Sequence, residues 1–354
     1  MSKPVLISSR IALCAGLFAM PAALSAENPE IALDTVNPTV ANLQALTFTL
    51  AAVDAASEGE VESEVSQQSG GQSSSGGEQS AEAEEGEKRT WPKFQMPKIV
   101  FDDTYATVGI GAAMIPSYTG SDDYIFFPLP LIVGRVGGVG IRPNGPGVRL
   151  DLLSPAPALG PRQDVTFNFG PSIRFRNERA RQVEDEIVEL AEDLDVALEV
   201  GIAGGITLPS VFNPNDSLTF NTAASFDVLG AHDGFLIEPN IAYARPFGTG
   251  VLFQASLGAQ IVDDNFADYY FSVTPEQSAA TGLAEFTASG GLNSLSSGML
   301  MSFDLDGNAL NGGLSIYTIV NYTRLVGDSA DTPFTSERGD PNQFLVGAGV
   351  AYTF

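Results

Sequence analysis

Phe344-Leu345-Val346-Gly347-Ala348-Gly349-Val350-Ala351-Tyr352-Thr353-Phe354 is the stretch on which the fold class turns. Phe344, Val346, Ala348, Val350, Tyr352 and Phe354 share one face; Leu345, Gly347, Gly349, Ala351 and Thr353 share the other. That is a period of two, and a strand puts successive side chains on opposite faces. The same reading works upstream. Val165, Phe167, Phe169, Ile173 and Phe175 alternate with Thr166, Asn168, Gly170, Arg174 and Arg176. Val196 to Leu208 and Phe235 to Tyr243 repeat the pattern, and Leu314 to Thr323 repeats it less cleanly, because Ile319 falls on the polar side. Soluble sandwich strands are usually ~5–6 residues. Alternating runs of ten or more suit tilted strands that cross a bilayer. Gly201, Gly205, Gly258, Gly347 and Gly349 lie on the less greasy face, as a narrow lumen requires and a Leu/Ile-filled core would not.

Composition points the same way. The chain has 354 residues, 43 acidic side chains against 17 basic ones, one Cys and one His. A net charge of −26 argues against a nucleic-acid partner. One Cys and one His exclude a disulfide framework, a Cys-based zinc cluster and a multi-His metal site. No cofactor is expected. Charged residues make up 17%, low for a soluble domain, and the 37 glycines are many.

Residues 1–26 read as a secretory signal peptide: Lys3 and Arg10, then the apolar run Ile11 to Leu24, then a small-residue step around Leu24-Ser25-Ala26. Cleavage there removes Cys14 and leaves 15 basic against 43 acidic residues. Residues 27–98 read as a disordered acidic periplasmic arm. Between Ser57 and Glu87 the composition collapses to Glu, Ser, Gly, Gln and Ala, which cannot repay the entropy of ordering. Residues 99–354 are then the barrel. Its aromatic C-terminus, with Tyr352 and Phe354 on the greasy face, resembles the assembly signal of bacterial outer-membrane barrels, and the two rings would also serve the periplasmic aromatic girdle.

The expected fold is all-β: a transmembrane antiparallel up-and-down β-barrel of about twelve strands, with ten as the alternative. The strands fall near 104–115, 124–136, 138–142, 146–153, 164–176, 195–208, 217–229, 234–246, 250–263, 296–305, 312–324 and 343–354. Even parity puts both ends of the barrel in the periplasm, the long loops outside and tight turns such as Gly248-Thr249-Gly250 inside. Val183, Ile187, Leu190 and Leu194 have helical spacing, which predicts a short surface helix within 177–194.

Arg149, Asp151, Arg174, Arg176, Glu199, Asp227 and Glu238 fall on the lumen face. Charges taken out of water need partners, so opposite signs on neighbouring strands predict cross-strand pairs and a narrow or closed interior; an aqueous channel lined by charges is the alternative. His232-Asp233 has no nucleophile motif beside it. Asp263, Asp264 and Asp268 do not follow a calcium-loop template, and Asp304-x-Asp306-x-Asn308 lacks the later Glu, so a turn is the reading there.

Pro116-Ser117-Tyr118-Thr119-Gly120-Ser121-Asp122-Asp123-Tyr124, followed by Pro128-Leu129-Pro130, resembles a motif of the MipA/OmpV family. So do Asp264 to Ser278, and Tyr322-Thr323-Arg324-Leu325-Val326-Gly327-Asp328 with Glu337-Arg338-Gly339 and Asn342-Gln343-Phe344. The likeness covers about 100–354; the acidic arm lies outside it. It implies an outer-membrane barrel of a Gram-negative bacterium, delivered by the barrel-assembly machinery and surrounded by outer-membrane lipid. It implies no enzyme activity. One branch is named for interacting with a lytic transglycosylase and is thought to scaffold peptidoglycan hydrolases and synthases; other branches are described as porin-like or adhesin-like. Read physically, Gly120-Ser121-Asp122 is a loop-tip turn, and Pro128 and Pro130 stiffen the start of the second strand.

Overall fold

The computed structural model describes residues 100–101, 104–155, 164–179 and 183–354. The expected signal peptide and acidic arm lie outside the described residues. Twelve antiparallel strands close into a barrel, each beside its neighbours in sequence and β1 beside β12. They are β1 (Tyr105–Pro116), β2 (Tyr124–Val136), β3 (Val139–Pro143), β4 (Gly147–Asp151), β5 (Thr166–Arg176), β6 (Ala197–Pro209), β7 (Ser217–Asp227), β8 (Phe235–Phe247), β9 (Val251–Val262), β10 (Gly291–Asp304), β11 (Gly313–Leu325) and β12 (Asn342–Thr353). No helix is long and apolar enough to cross a membrane. β10 starts five residues earlier than the alternation predicted. Its first turn is Gly, Leu, Asn and Ser with a register shift between Leu292 and Ser294, which hides the period.

The outer face is an apolar belt. Ile110, Phe167, Ile202, Leu257, Val320, Val350 and Phe354 are all exposed. So large a continuous apolar surface is what lipid solvates. Tyr352 and Phe354 stand in it edge to face, with centroids 4.7 Å apart.

The inner face is of two kinds. On β1, β2 and β10 to β12 it is greasy: Ala113, Ile115, Phe127, Leu129, Leu300, Tyr317, Ile319, Leu345 and Ala351 form one buried cluster. Ile319, which broke the alternation in the sequence, is therefore a lumen core residue, as is Leu345. On β5 to β8 the inner face is charged. Tyr317 shows why small residues are needed opposite it. A Cβ on Gly349 would lie 2.5 Å from the Tyr317 ring and one on Gly111 2.8 Å from its hydroxyl, which donates to the Leu129 carbonyl at 3.2 Å.

The β3–β4 hairpin is short. β3 pairs only with residues 134–136 of β2, leaving the rest of that side of β2 without a strand neighbour among the described residues. The two-residue turn Gly137-Gly138, both at positive φ, makes Val136 and Val139 a hydrogen-bonded pair, so the even-numbered peptide groups of β2 face that open side. Pro128 and Pro130 belong to this set. Lacking N–H groups, they leave no donor unsatisfied there and blunt the edge.

Substituting Gly349 by Leu should destabilise the barrel by about 1–3 kcal/mol through overpacking against Tyr317. A lower temperature for loss of the heat-modifiable gel band checks it, with Val350→Leu on the lipid face as the unaffected control.

Candidate functional site: a capped and braced lumen

The lumen charges meet at one level. Arg174 and Arg176 lie two apart on β5 and so on one face, opposite Glu199 and Ala197 of β6. Glu199 takes both: Arg174 Nε at 2.7 Å on one oxygen and Arg176 Nε at 2.5 Å on the other. Arg174 reaches on to Glu238 of β8 at 3.1 Å, and Arg176 to Glu178 at 3.4 Å. Two guanidinium groups thus share three carboxylates, and Arg174, Arg176 and Glu199 are all nearly inaccessible. Bidentate geometry and low local dielectric make such a cluster strong once formed and costly to break.

The other charges on the predicted lumen face have different work. Asp227 does not join the cluster. It accepts from the backbone N–H groups of Leu198, Leu229 and His232 at 3.0–3.1 Å and so organises the 228–234 loop. Asp151 accepts from Leu153 and Ser154 N–H groups and faces Arg142 at 3.5 Å. Arg149 is buried and lines a small polar cavity of about 30 Å³ with Asn144, Asn221, Glu238, Gln260 and Ser296.

Above the cluster the long loops fold over the mouth. After β9, Asp263 caps α1 (Asp264–Phe271) by accepting from Phe266 N–H, and Thr274 with Gln277 forms a capping box for α2 (Pro275–Thr281). Asp264 accepts from Gly290 N–H and Asp268 from the Ser272 hydroxyl, both at 2.7 Å, so each weighed carboxylate is an acceptor within its own loop. Asp304 and Asp306 similarly hold the 304–308 turn. Arg176 lies 5.0 Å beneath the Phe266 ring and 5.8 Å from that of Tyr270, which presses α1 onto the ion cluster. His232 is enclosed there too. Its Nδ1 accepts from Gly234 N–H at 3.0 Å and its Nε2 lies 3.6 Å from Glu199.

The described residues of 177–194 do not form the predicted surface helix. Among the described residues there, only a 3-10 turn forms, at Val188–Leu190; Asp185 caps its start by accepting from the Ile187 and Val188 N–H groups, and the extended backbone of Ala191 ends it. The apolar spacing serves the cap instead: Val188, Ala191, Val183 and Ile187 pack with Tyr118, Val273, Leu283 and Phe334.

The motif loop after Pro116, the last residue of β1, is the fastener. Tyr118 donates to the Phe334 carbonyl at 3.1 Å, inside the loop that carries α3 (Asp328–Asp331) and α4 (Pro333–Ser336). Thr119 donates through both N–H and hydroxyl to Glu178. Gly120 has φ +103°, and a Cβ there would meet Thr335 Oγ1 at 2.3 Å. Its N–H donates to Gln343, whose amide donates to the Ser121 and Asp340 carbonyls. Ser121 and Ser117 share a hydroxyl hydrogen bond at 2.9 Å, and the Tyr124 hydroxyl accepts from Phe344 N–H. Asp122 is exposed. Gly120-Ser121-Asp122 is thus a turn fixed inside the cap rather than a free loop tip.

Several members were not legible beforehand. Burial pushes Glu178 up, against the pull of Arg176, and brings Arg179 down to about 10. Arg179 stacks 4.3 Å from the Phe334 ring. Asp185 is paired with Arg338 at 2.6 Å, and its hydrogen bonds to Arg338 and to the Val188 and Ile187 N–H groups hold its carboxyl below its ordinary value despite desolvation. Gln343 and Arg338 do stand in the closing motif, which was the available signal.

Replacing Glu199 by Ala leaves two buried guanidinium groups without their shared carboxylate and should cost about 3–5 kcal/mol; Glu199→Gln should cost less. Urea titration of the folded gel band measures both. The cap has a pH dependence of known sign. Asp185 is depressed on folding, so its contribution is full above the ordinary Asp value, near 4, and is lost as pH falls through the lower folded value. Amide exchange at Ile187 and Val188 should therefore accelerate below about pH 4, and Arg338→Ala should move that onset to higher pH.

No curated protein matches the chain in sequence. Among solved structures it is similar to the outer membrane protein OprD from Pseudomonas aeruginosa, with 12% identity over 70% of this chain and 65% of that one and a TM-score of 0.31, so it spans just under two thirds of that protein. It is similar to the COG4313 outer membrane channel from Pseudomonas putida F1 (12% identity, 72% and 96% covered, TM-score 0.36) and to OmpT of Vibrio cholerae (8%, 71% and 97%, 0.30). The model of the family described as MltA-interacting protein MipA matches residues 108–354, from β1 to the last residue and through every cap loop. On that match the chain belongs to the MipA family of barrel proteins.

Proposed function

We propose that this protein is a non-enzymatic scaffold of the Gram-negative outer membrane, a barrel that anchors a periplasmic arm and does not conduct. The observation that carries the reading is the occupied lumen. The cap covers one mouth, the ion cluster braces the β5–β8 side, and the apolar cluster fills the β1, β2 and β10–β12 side. The apolar cavity at the turn end and the polar cavity beside Arg149 share no lining residue. A diffusion channel has use for none of this, whereas a rigid anchor has use for all of it.

The family description names an interaction with MltA, and for this chain we read a partner among periplasmic peptidoglycan-remodelling enzymes. The turn end of the barrel, where β1 begins and β12 finishes, then faces the periplasm. The arm enters there, and about 65 residues of its composition span roughly 45 Å root-mean-square, enough to meet a periplasmic enzyme. Phe354 and Tyr352 sit at the same end, as an assembly signal requires.

A porin-like channel is the competing reading, and one measurement separates the two. In planar bilayers the purified protein should give no steady single-channel steps, while pull-downs with full-length protein should recover a cell-wall enzyme that protein lacking residues 27–93 loses. Regular conductance steps would favour the channel, and an identical partner list without the arm would remove the arm from the scaffold.

A further inference from the structure

The turn end of the lumen holds a chamber that neither the scaffold reading nor the ion cluster uses. A cavity of about 90 Å³ lies there, narrow and open toward the turn end. Its composition is graded along the barrel axis. At the mouth, the last strand positions present Thr107, Thr353, Ser315 and Asp304. Val133 stands among them, opposite Thr107, and one or two pairs deeper the lining becomes Leu131, Leu252, Leu300, Tyr317 and Ala351, with the buried Gln254 opposite Leu300 as the polar exception. Leu300, Tyr317 and Ala351 also belong to the apolar cluster of the lumen, whose Ile115, Leu129, Ile319 and Leu345 close the chamber from the loop side. The chamber is thus blind, with its hydroxyl groups and Asp304 gathered at the opening and a mostly apolar depth in which Gln254 is the one amide among the described residues.

Its opening is furnished. Val100 N–H donates to the Leu310 carbonyl of the β10–β11 turn, which straps the chain across this end. Phe101, buried and edge to face on Tyr105 at 4.8 Å, contributes its ring to the chamber lining. Asp304 is the one charged side chain in that lining among the described residues, and no Lys or Arg faces it.

We infer that this chamber is a binding site for a small single-tailed amphiphile, apolar body inward and an uncharged or cationic end at the mouth. The apolar depth supplies the binding free energy, about 25 cal/mol per Å² of apolar surface removed from water. The hydroxyl groups at the mouth satisfy a polar end that would otherwise lose its water. An anionic end would face Asp304 with no cation to meet it, so the site selects against alkyl carboxylates. This inference is independent of the scaffold reading, because it asks nothing of the arm or of a protein partner.

Thiol protection tests it. Ser302 lies in the lining between mouth and depth, and the sole native cysteine, Cys14, is replaced by Ala. The full chain carrying Ser302→Cys, in lipid nanodiscs, is reacted with a water-soluble maleimide, alone and with n-octylammonium, n-octanol or n-octanoate. Octylammonium and octanol should slow the reaction tenfold or more and octanoate less than twofold. Asp304→Asn should erase the difference between octylammonium and octanol. Ser296→Cys, in the separate polar cavity, should react at one rate throughout. Should Ser302→Cys fail to fold, Ser315→Cys on the neighbouring strand gives the same readout. Equal slowing at Ser296, or no protection in either chamber variant, would overturn the site. Stronger protection by octanoate than by octylammonium would overturn the assigned ligand class.

Discussion

Closing the sheet is the constraint from which the rest follows. Once β1 hydrogen-bonds to β12, every second side chain of twelve strands is committed to one lumen, and each must be packed, paired or hydrated there. This chain answers differently on its two halves. Where β1, β2 and β10 to β12 meet, glycines at 111 and 349 make room for Tyr317, and apolar side chains close around it. Where β5 to β8 meet, two arginines are neutralised by carboxylates from β6, β8 and Glu178, the second residue after β5.

The cap is a continuation of those strands rather than a separate part. Arg176 belongs to the ion cluster and also lies under the Phe266 and Tyr270 rings, and Glu178 accepts from Thr119 while facing Arg176. The first, third, fifth and last long loops are therefore joined through side chains already fixed by the barrel. This explains why motifs on Pro116 to Tyr124, Asp264 to Ser278 and Tyr322 to Phe344, far apart in the chain, carry the family likeness together. They are the pieces of one lid, and each is specified by what the others present.

Legibility followed range. The alternation of Thr166 to Arg176 needs only the strand itself, so its faces and the lumen position of Arg174 and Arg176 were readable, as was the approximate strand count. Asp227 shares the lumen face with Glu199, opposite it in register, but the backbone groups it serves include those of the loop beyond it, which the strand pattern does not show. The Val183–Leu194 spacing suggested a helix, yet those side chains had the cap to pack against, and the backbone turns extended at Ala191. Ile319 looked like a lapse in the pattern until its neighbours across the lumen were known.

The sequence alone determined that this is a sheet with one lipid-solvated face, because a period of two is a property of each strand in isolation and survives any arrangement of its neighbours. Only the tertiary structure decided what fills the inside. Whether an inward Leu, Arg or Gly finds a core, a carboxylate or a cavity depends on other strands, from the next one along, as for Arg174 and Glu199, to one 188 residues away, as for Tyr317 and Leu129. No local pattern encodes that opposition.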